Sequence, residues 1–210
     1  MEDLVQVLLD SAIFVLPLWF GNAAPTVLGG GAPIDRGRLW RDGKRILGDG
    51  KTIRGFWAGV FVGGIIGGLI ELIGLLLPIT LPINGDIILR LHYHTFLESG
   101  IIFNLLSILN AEGFLSNFTL LGALTGSLMT FGGLIGDLVG SFIKRRSGIE
   151  RGKPFIFLDQ LGFLIFGMVF VFPLISWPIE FLLVQVPITF VLHIGANLFG
   201  YFTGIQDEPL

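Results

Sequence analysis

Residues 136–160 read GDLVGSFIKRRSGIERGKPFIFLDQ. An apolar helix arrives carrying Asp137. A basic loop follows with Lys144, Arg145, Arg146, Arg151 and Lys153, and the chain then re-enters apolar sequence that contains Asp159. Asp137 lies seven residues before Lys144 and Asp159 six after Lys153. At about 1.5 Å per helical residue, each carboxylate sits roughly 10 Å below the loop. Two helices joined this way run antiparallel, so the acids share a depth. A carboxylate facing lipid is expensive, so both are expected to point into the helix bundle and to mark a functional site. Two acids beneath five cations read as a site for a metal ion and a polyphosphate.

Working outward, the composition fixes the class. The 210 residues are 52% hydrophobic and 14% charged, with a mean hydropathy of +0.82. Several apolar runs approach the length of a membrane span, which predicts an all-α polytopic membrane protein forming one catalytic domain over 1–210. The absence of cysteine excludes disulfides and thiolate chemistry. The net charge of −3 conceals segregation: of thirteen Lys and Arg, seven lie in 36–54, five in 144–153, and Arg90 stands alone. These clusters border apolar runs rather than covering a soluble face, which argues against nucleic acid. No obligate protein partner is evident. The first apolar run begins with Glu2 and Asp3 and has no A-x-A site, so it reads as a span and not a cleaved leader.

Five spans are expected, at 4–20, 56–77, 118–143, 155–177 and 181–202. Two basic loops, 22–54 and 144–154, then share one side, which the positive-inside rule makes cytoplasmic. The N-terminus is expected outside, the C-terminus inside, with the loops forming a polar funnel. Glu71 reads as interfacial, and Asn84-Gly85 as a turn. Ile101 to Leu109 is too short to span and reads as interfacial. His92 and His94 read as solvated, His193 and Asn197 as one helical face near the floor of the site. The Trp residues at 19, 40, 57 and 177 mostly flank spans, as interfacial anchors do.

The first basic loop contains RDGKRILGDGKTIRG (41–55). GDGKT suggests a phosphate loop, but a Walker A motif needs glycine where Arg45 stands, and no strand precedes it. Asp49-Gly50-Lys51-Thr52-Ile53-Arg54 also begins like a CDP-alcohol phosphotransferase signature, yet the next helix offers no acid pair. What remains is a glycine-rich loop in which Gly48 and Gly50 let backbone N–H groups approach an anion. Lys44, Arg45, Lys51 and Arg54 supply charge. Thr52 or Gly50 is placed to start the following helix, whose positive end also favours phosphate.

Taken together these motifs resemble those of the archaeal CDP-archaeol synthases, relatives of the phosphatidate cytidylyltransferases. The resemblance rests on Asn22 and Pro25, on Pro33, Asp35 and Gly37, and on GKRILGDGKTIRG (43–55). It continues through GDLVGSFIKRR (136–146), the GxxRGKPFxFLDQLGF stretch (148–163), and His193 with Asn197. The Gly-His-Gly-Gly and Asp-Arg-x-x-x-Asp elements of the bacterial and eukaryotic relatives do not occur here.

The resemblance implies transfer of CMP from CTP to the phosphate of a geranylgeranyl glyceryl phosphate lipid, with Mg²⁺, releasing pyrophosphate at the cytoplasmic face of the cell membrane. The alternatives are a CDP-diacylglycerol-type synthase acting on phosphatidate, or a small transporter. On this reading Asp137 and Asp159 hold Mg²⁺, because hard oxygen donors suit that ion. Lys44, Arg45, Lys51, Arg54, Lys144, Arg145 and Arg146 clamp the triphosphate or the lipid phosphate, with Lys51 and Lys144 nearest the chemistry. Gly48, Asp49, Gly50 and Thr52 line the phosphate loop. Ser141 supports the metal site from one turn beyond Asp137, and Asn22, Asp35 and Gln160 contact the nucleotide.

Overall fold

A computed structural model describes residues 2–76, 80–81, 87–88, 118–149 and 156–203. Among the described residues five helices carry the fold: α1 (Glu2–Leu28), α2 (Ile53–Leu76), α3 (Phe118–Arg146), α4 (Ile156–Val171) and α5 (Ile179–Phe202). A short antiparallel pair, β1 (Thr80–Leu81) and β2 (Ile87–Ile88), brackets the expected turn, whose residues 82–86 lie outside the described ones. So do the expectations for 101–109, His92 and His94. Among the described residues, three helices are long and apolar enough to cross a bilayer: Leu4–Leu28, Ile53–Gly74 and Leu120–Arg146.

The boundaries differ from the expected ones in three places, each for a chemical reason. α1 does not stop at residue 20 but runs to Leu28 through Pro17 and Pro25. Prolines are tolerated in apolar helices packed among neighbours, and here Thr130 Oγ1 of α3 donates to the Pro17 carbonyl at 3.0 Å, tying α1 to α3 beside the proline. α3 continues through Lys144, Arg145 and Arg146, so these cations form its last turn and face its negative end rather than lying in a loop. α4 ends at Val171, not at 177, because Pro173 follows and disfavours helical backbone in the residue before it.

Small residues let the helices meet. A Cβ added at Gly67 of α2 would lie 3.1 Å from the Gly126 Cα of α3, and the reverse holds for Gly126. On the other side of α3, a Cβ at Gly136 would lie 2.5 Å from the Gly162 carbonyl oxygen and 2.9 Å from the Phe166 Cβ. Gly132 of α3 meets Phe166 and Phe170 while Gly136 meets Gly162, so α3 and α4 run antiparallel, as expected. Glycine at these crossings permits backbone approach that any side chain would prevent.

The apolar core joins α1, α3 and α4 through Phe14, Leu18, Met129, Leu164 and Met168. α5 attaches to α1 through a Phe14–Phe181 edge contact with centroids 5.6 Å apart and through buried polar groups. Gln185 Nε2 donates to Ser11 Oγ at 2.8 Å, and Trp19 Nε1 to Thr189 Oγ1 at 3.2 Å. Trp19 is therefore an interhelical contact. Trp177 likewise donates to the Met168 carbonyl at 2.9 Å. Glu71, expected at the interface, is fully enclosed against Gly122 in the α2–α3 seam.

Candidate functional site

The site is built where the C-terminal ends of α1 and α3 meet the loop 29–52. That loop is a folded unit. It is closed at its base by backbone pairing of Pro33 with Thr52 and farther out by pairing of Leu39 with Arg45. Ile34 N–H donates to the Lys51 carbonyl at 2.8 Å, and Ile53 N–H to the Ala32 carbonyl at 3.1 Å.

Its centre is Asp35, whose side chain has no exposed surface. Arg45 grips the carboxylate with two bonds, Nη2 to Oδ1 at 2.8 Å and Nε to Oδ2 at 3.2 Å. Three backbone donors complete the shell: Gly37 at 3.1 Å, Leu47 at 3.0 Å and Gly48 at 3.0 Å. The Arg45 guanidinium, aided by these N–H groups and opposed by burial, holds the Asp35 carboxyl well below the usual carboxylate range. Reciprocally, Asp35 and then Asp49 push the Arg45 guanidinium further up.

The anion nest expected at Gly48, where φ is +106°, is thus present, but the anion it holds is the chain's own Asp35. Asp35 and Gly48 work inside the loop, and the saturated, enclosed carboxylate presents nothing to a nucleotide. Thr52 has a similar local task. Its Oγ1 accepts the Gly55 N–H at 3.1 Å, capping α2. Asp49 pairs with Arg45 at 2.8 Å while largely exposed, and Gly50 lies exposed beside it.

The end of α3 fastens the loop down. Arg146 forms an ion pair with Asp42 at 2.7 Å, donates to the Arg45 carbonyl, and stacks over the Phe142 ring at 4.6 Å. Arg145 donates to the carbonyls of Leu47 (3.4 Å) and Ile149 (3.0 Å), and Lys44 Nζ to the Arg146 carbonyl (3.3 Å). Asp42 and Phe142 were missed in the sequence, since nothing in their spacing signals that the loop folds back over α3. Four expected phosphate clamps, Lys44, Arg45, Arg145 and Arg146, therefore have partners inside the chain. Arg54 is exposed and makes no ion pair among the described residues.

Closure of the loop delivers Lys51 to Asp137, where the two form a direct ion pair. Both side chains are about one-third exposed, at 30% and 32%. Asp137 stands nine residues before the end of α3, about 13 Å down its axis. Ser141, one turn beyond it, is buried. On α1, Leu18 packs on Gly133, so four residues further along each of these parallel helices Asn22 reaches the level of Asp137. Asn22 Oδ1 is buried without a hydrogen-bond partner among the described residues.

Asp159 lies on α4 one turn before Gly162, whose carbonyl meets Gly136. Its backbone thereby falls at the depth of Asp137, within about 3 Å along the axes. The side chains of Asp159, Gln160, His193 and Asn197 lie outside the described ones, as do Arg151 and Lys153 entirely. No cluster of three His, Cys, Asp or Glu occurs among the described residues. Mg²⁺ takes one or two carboxylates and completes its shell with water and phosphate oxygens. A half-open carboxylate and, at a similar level on α1, an orphaned amide oxygen are donors of the kind such an ion accepts.

The fold and site define a helical membrane protein whose acids and cations converge at one end of the bundle. A family model described as CDP-archaeol synthase matches residues 4–107 and 95–210. The CDP-archaeol synthase of Thermococcus kodakarensis is 41% identical over 199 residues, 93% of this chain and 92% of the relative. That of Pyrococcus horikoshii is 41% identical over 202 residues, 96% of each. That of Methanocaldococcus jannaschii is 32% identical over 204 residues, 96% of this chain and 97% of the relative. A solved structure of an intramembrane enzyme for archaeal membrane lipid biosynthesis superposes with a TM-score of 0.63 at 31% identity, covering 91% of this chain and 94% of that one. The chain belongs to the CDP-archaeol synthase family, and it is a CTP-dependent cytidylyltransferase of archaeal lipid biosynthesis.

Proposed function

We propose that the chain transfers CMP from CTP to the phosphate of a geranylgeranyl glyceryl phosphate lipid at the Lys51–Asp137 site, on the cytoplasmic side of the membrane. The observation that carries this reading is the meeting of Lys51 and Asp137, brought from separate parts of the chain to a half-open position beneath the basic loop. Asp137 and Asp159 would hold Mg²⁺, which when bound offsets the charge on the triphosphate. A lipid phosphate oxygen attacks the α-phosphorus of CTP, a P–O bond forms, and the bond to the β-phosphate bridge breaks with release of pyrophosphate. Little covalent chemistry is needed from the protein, so positioning and charge do the catalysis.

Lys51 is the mobile charge in this scheme. In the ligand-free protein it neutralises Asp137, and on nucleotide binding its ammonium moves to a phosphate oxygen. Lys144 and Arg54 supply further charge at the same end. Asn22 contributes its amide oxygen, Ser141 supports Asp137 from the next turn, and Gln160 contacts the nucleotide. Lys44, Arg45, Arg145 and Arg146 act chiefly by holding the loop that carries Lys51. All five helices cross the bilayer, with the N-terminus outside and the C-terminus inside, so soluble CTP and the lipid headgroup meet at the basic end.

The test is cytidylyl transfer in detergent with CTP, Mg²⁺ and the geranylgeranyl lipid phosphate. Activity that requires Mg²⁺ and disappears in Asp137→Asn and Asp159→Asn is expected. Full activity in either variant removes that acid from the metal site.

A further inference from the structure

Three cations of the loop have no place in this scheme. Arg36, Arg38 and Arg41 are exposed, and their side chains make no hydrogen bond or ion pair among the described residues. Between them stand Leu39, 60% exposed, and Trp40, 45% exposed. Lys44, Arg45, Lys51, Arg145 and Arg146 of the same region all find acceptors within the chain.

The arm that carries these residues is rigidly built. Ile46 N–H donates to the Arg38 carbonyl at 3.1 Å and Trp40 N–H to the Lys44 carbonyl at 2.7 Å, while Asp42 ties its tip to Arg146. Trp40 meets Phe142 of α3 edge-on, centroids 5.3 Å apart. Val139 and Ile143, exposed apolar residues of α3, flank that contact in sequence. An apolar surface therefore continues from the outer side of α3 onto the arm, and there it is interleaved with arginine.

Water alone gives no reason to expose Leu39 and Trp40 together, and the hydrocarbon core would not accept three unpaired guanidinium groups. The headgroup layer accepts both, because tryptophan and basic residues each concentrate there. We propose that residues 36–42 form an arm that lies on the bilayer surface and binds the anionic headgroups of surrounding phospholipid, with Leu39 and Trp40 seated at headgroup level. This rests on the membrane placement of the chain and not on the reaction it catalyses. Each arginine near an anionic surface adds roughly fivefold to the attraction, so three together give about a hundredfold.

The chain's lack of cysteine makes the test direct. Leu39→Cys, labelled with an environment-sensitive dye, is placed in nanodiscs of phosphatidylcholine alone or with added phosphatidylglycerol, and quenching by neutral acrylamide is measured. Phosphatidylglycerol is expected to shift the emission to the blue and reduce quenching several-fold. High salt should reverse the change. The added triple change Arg36→Gln, Arg38→Gln, Arg41→Gln should abolish the response, and the corresponding triple change to Lys should keep it, separating charge from folding. Equal quenching in both lipids, or an unchanged response in the Gln variant, overturns the proposal. So does reproduction of the shift in phosphatidylcholine by inorganic phosphate, which would make the arm a site for free anion.

Discussion

Two of the loop's carboxylate–cation pairs have opposite character. Arg45–Asp35 is closed: the acid has no exposed surface and accepts five hydrogen bonds. Lys51–Asp137 is open: each side chain is about one-third exposed, and the partners come from a loop and a helix. A saturated pair can only build, because opening it leaves a buried charge without compensation. A half-open pair can exchange one partner for a ligand. The choice of cation agrees, since arginine's planar fork fixes geometry while lysine is a point charge on a flexible stem.

Breaking the open pair should produce the largest effect. Asp137→Asn is expected to lower the rate of CMP transfer by about 10²–10³-fold, the scale seen when a preorganised electrostatic group is lost, with little change in thermal unfolding. Breaking the closed pair should act on structure instead. Asp35→Ala leaves the Arg45 fork and the Leu47 and Gly48 N–H groups without their acceptor, at a cost of about 1–3 kcal/mol. Limited proteolysis of the loop 29–52 would show it.

The closed pair also has a pH signature. The Asp35 carboxyl is held below its ordinary value of 3.8, first by Arg45 and then by backbone N–H groups. Its contribution to stability is therefore fully present well above that value and is lost progressively as pH falls from it through the lower folded one, so the Asp35 part of loop protection should stay flat from about pH 5 upward. Asp35→Asn should remove the Asp35 part of the loss seen at lower pH. Smaller again is Thr52→Ala, which removes the α2 cap and should cost about 1 kcal/mol in a thermal melt. Smallest is Asp49→Asn, since the Arg45–Asp49 pair is largely exposed and such pairs contribute about 0–1 kcal/mol. An effect of Asp49→Asn as large as that of Asp35→Ala would erase the distinction between enclosed and exposed partners.

Much of this was legible in the sequence for identifiable reasons. Apolar runs gave the five helices, and the spacing of Asp137 and Asp159 from the basic segment gave their common depth. The family followed from motifs in a fixed order. What escaped was whatever depends on the loop's own closure. Asp35 and Arg45 are ten residues apart, and only a folded loop makes one the other's partner, so Asp35 read as a nucleotide contact and Gly48 as a phosphate nest. Arg146 read as a phosphate clamp alone because Asp42, with which it pairs, is remote in sequence. The end of α4 was readable from Pro173, yet hydrophobicity past it carried the expected span to 177. The persistence of α1 through Pro17 and Pro25 depends on contacts from α2 and α3 that sequence alone does not reveal.

The most direct test of the central claim is CMP transfer by Asp137→Asn, measured per folded molecule beside its thermal unfolding in the same detergent. The open-pair account predicts turnover lost with an unfolding temperature close to that of the unmodified chain. Turnover retained in a fully folded variant would contradict it, and would move the reacting phosphates away from Lys51 and Asp137.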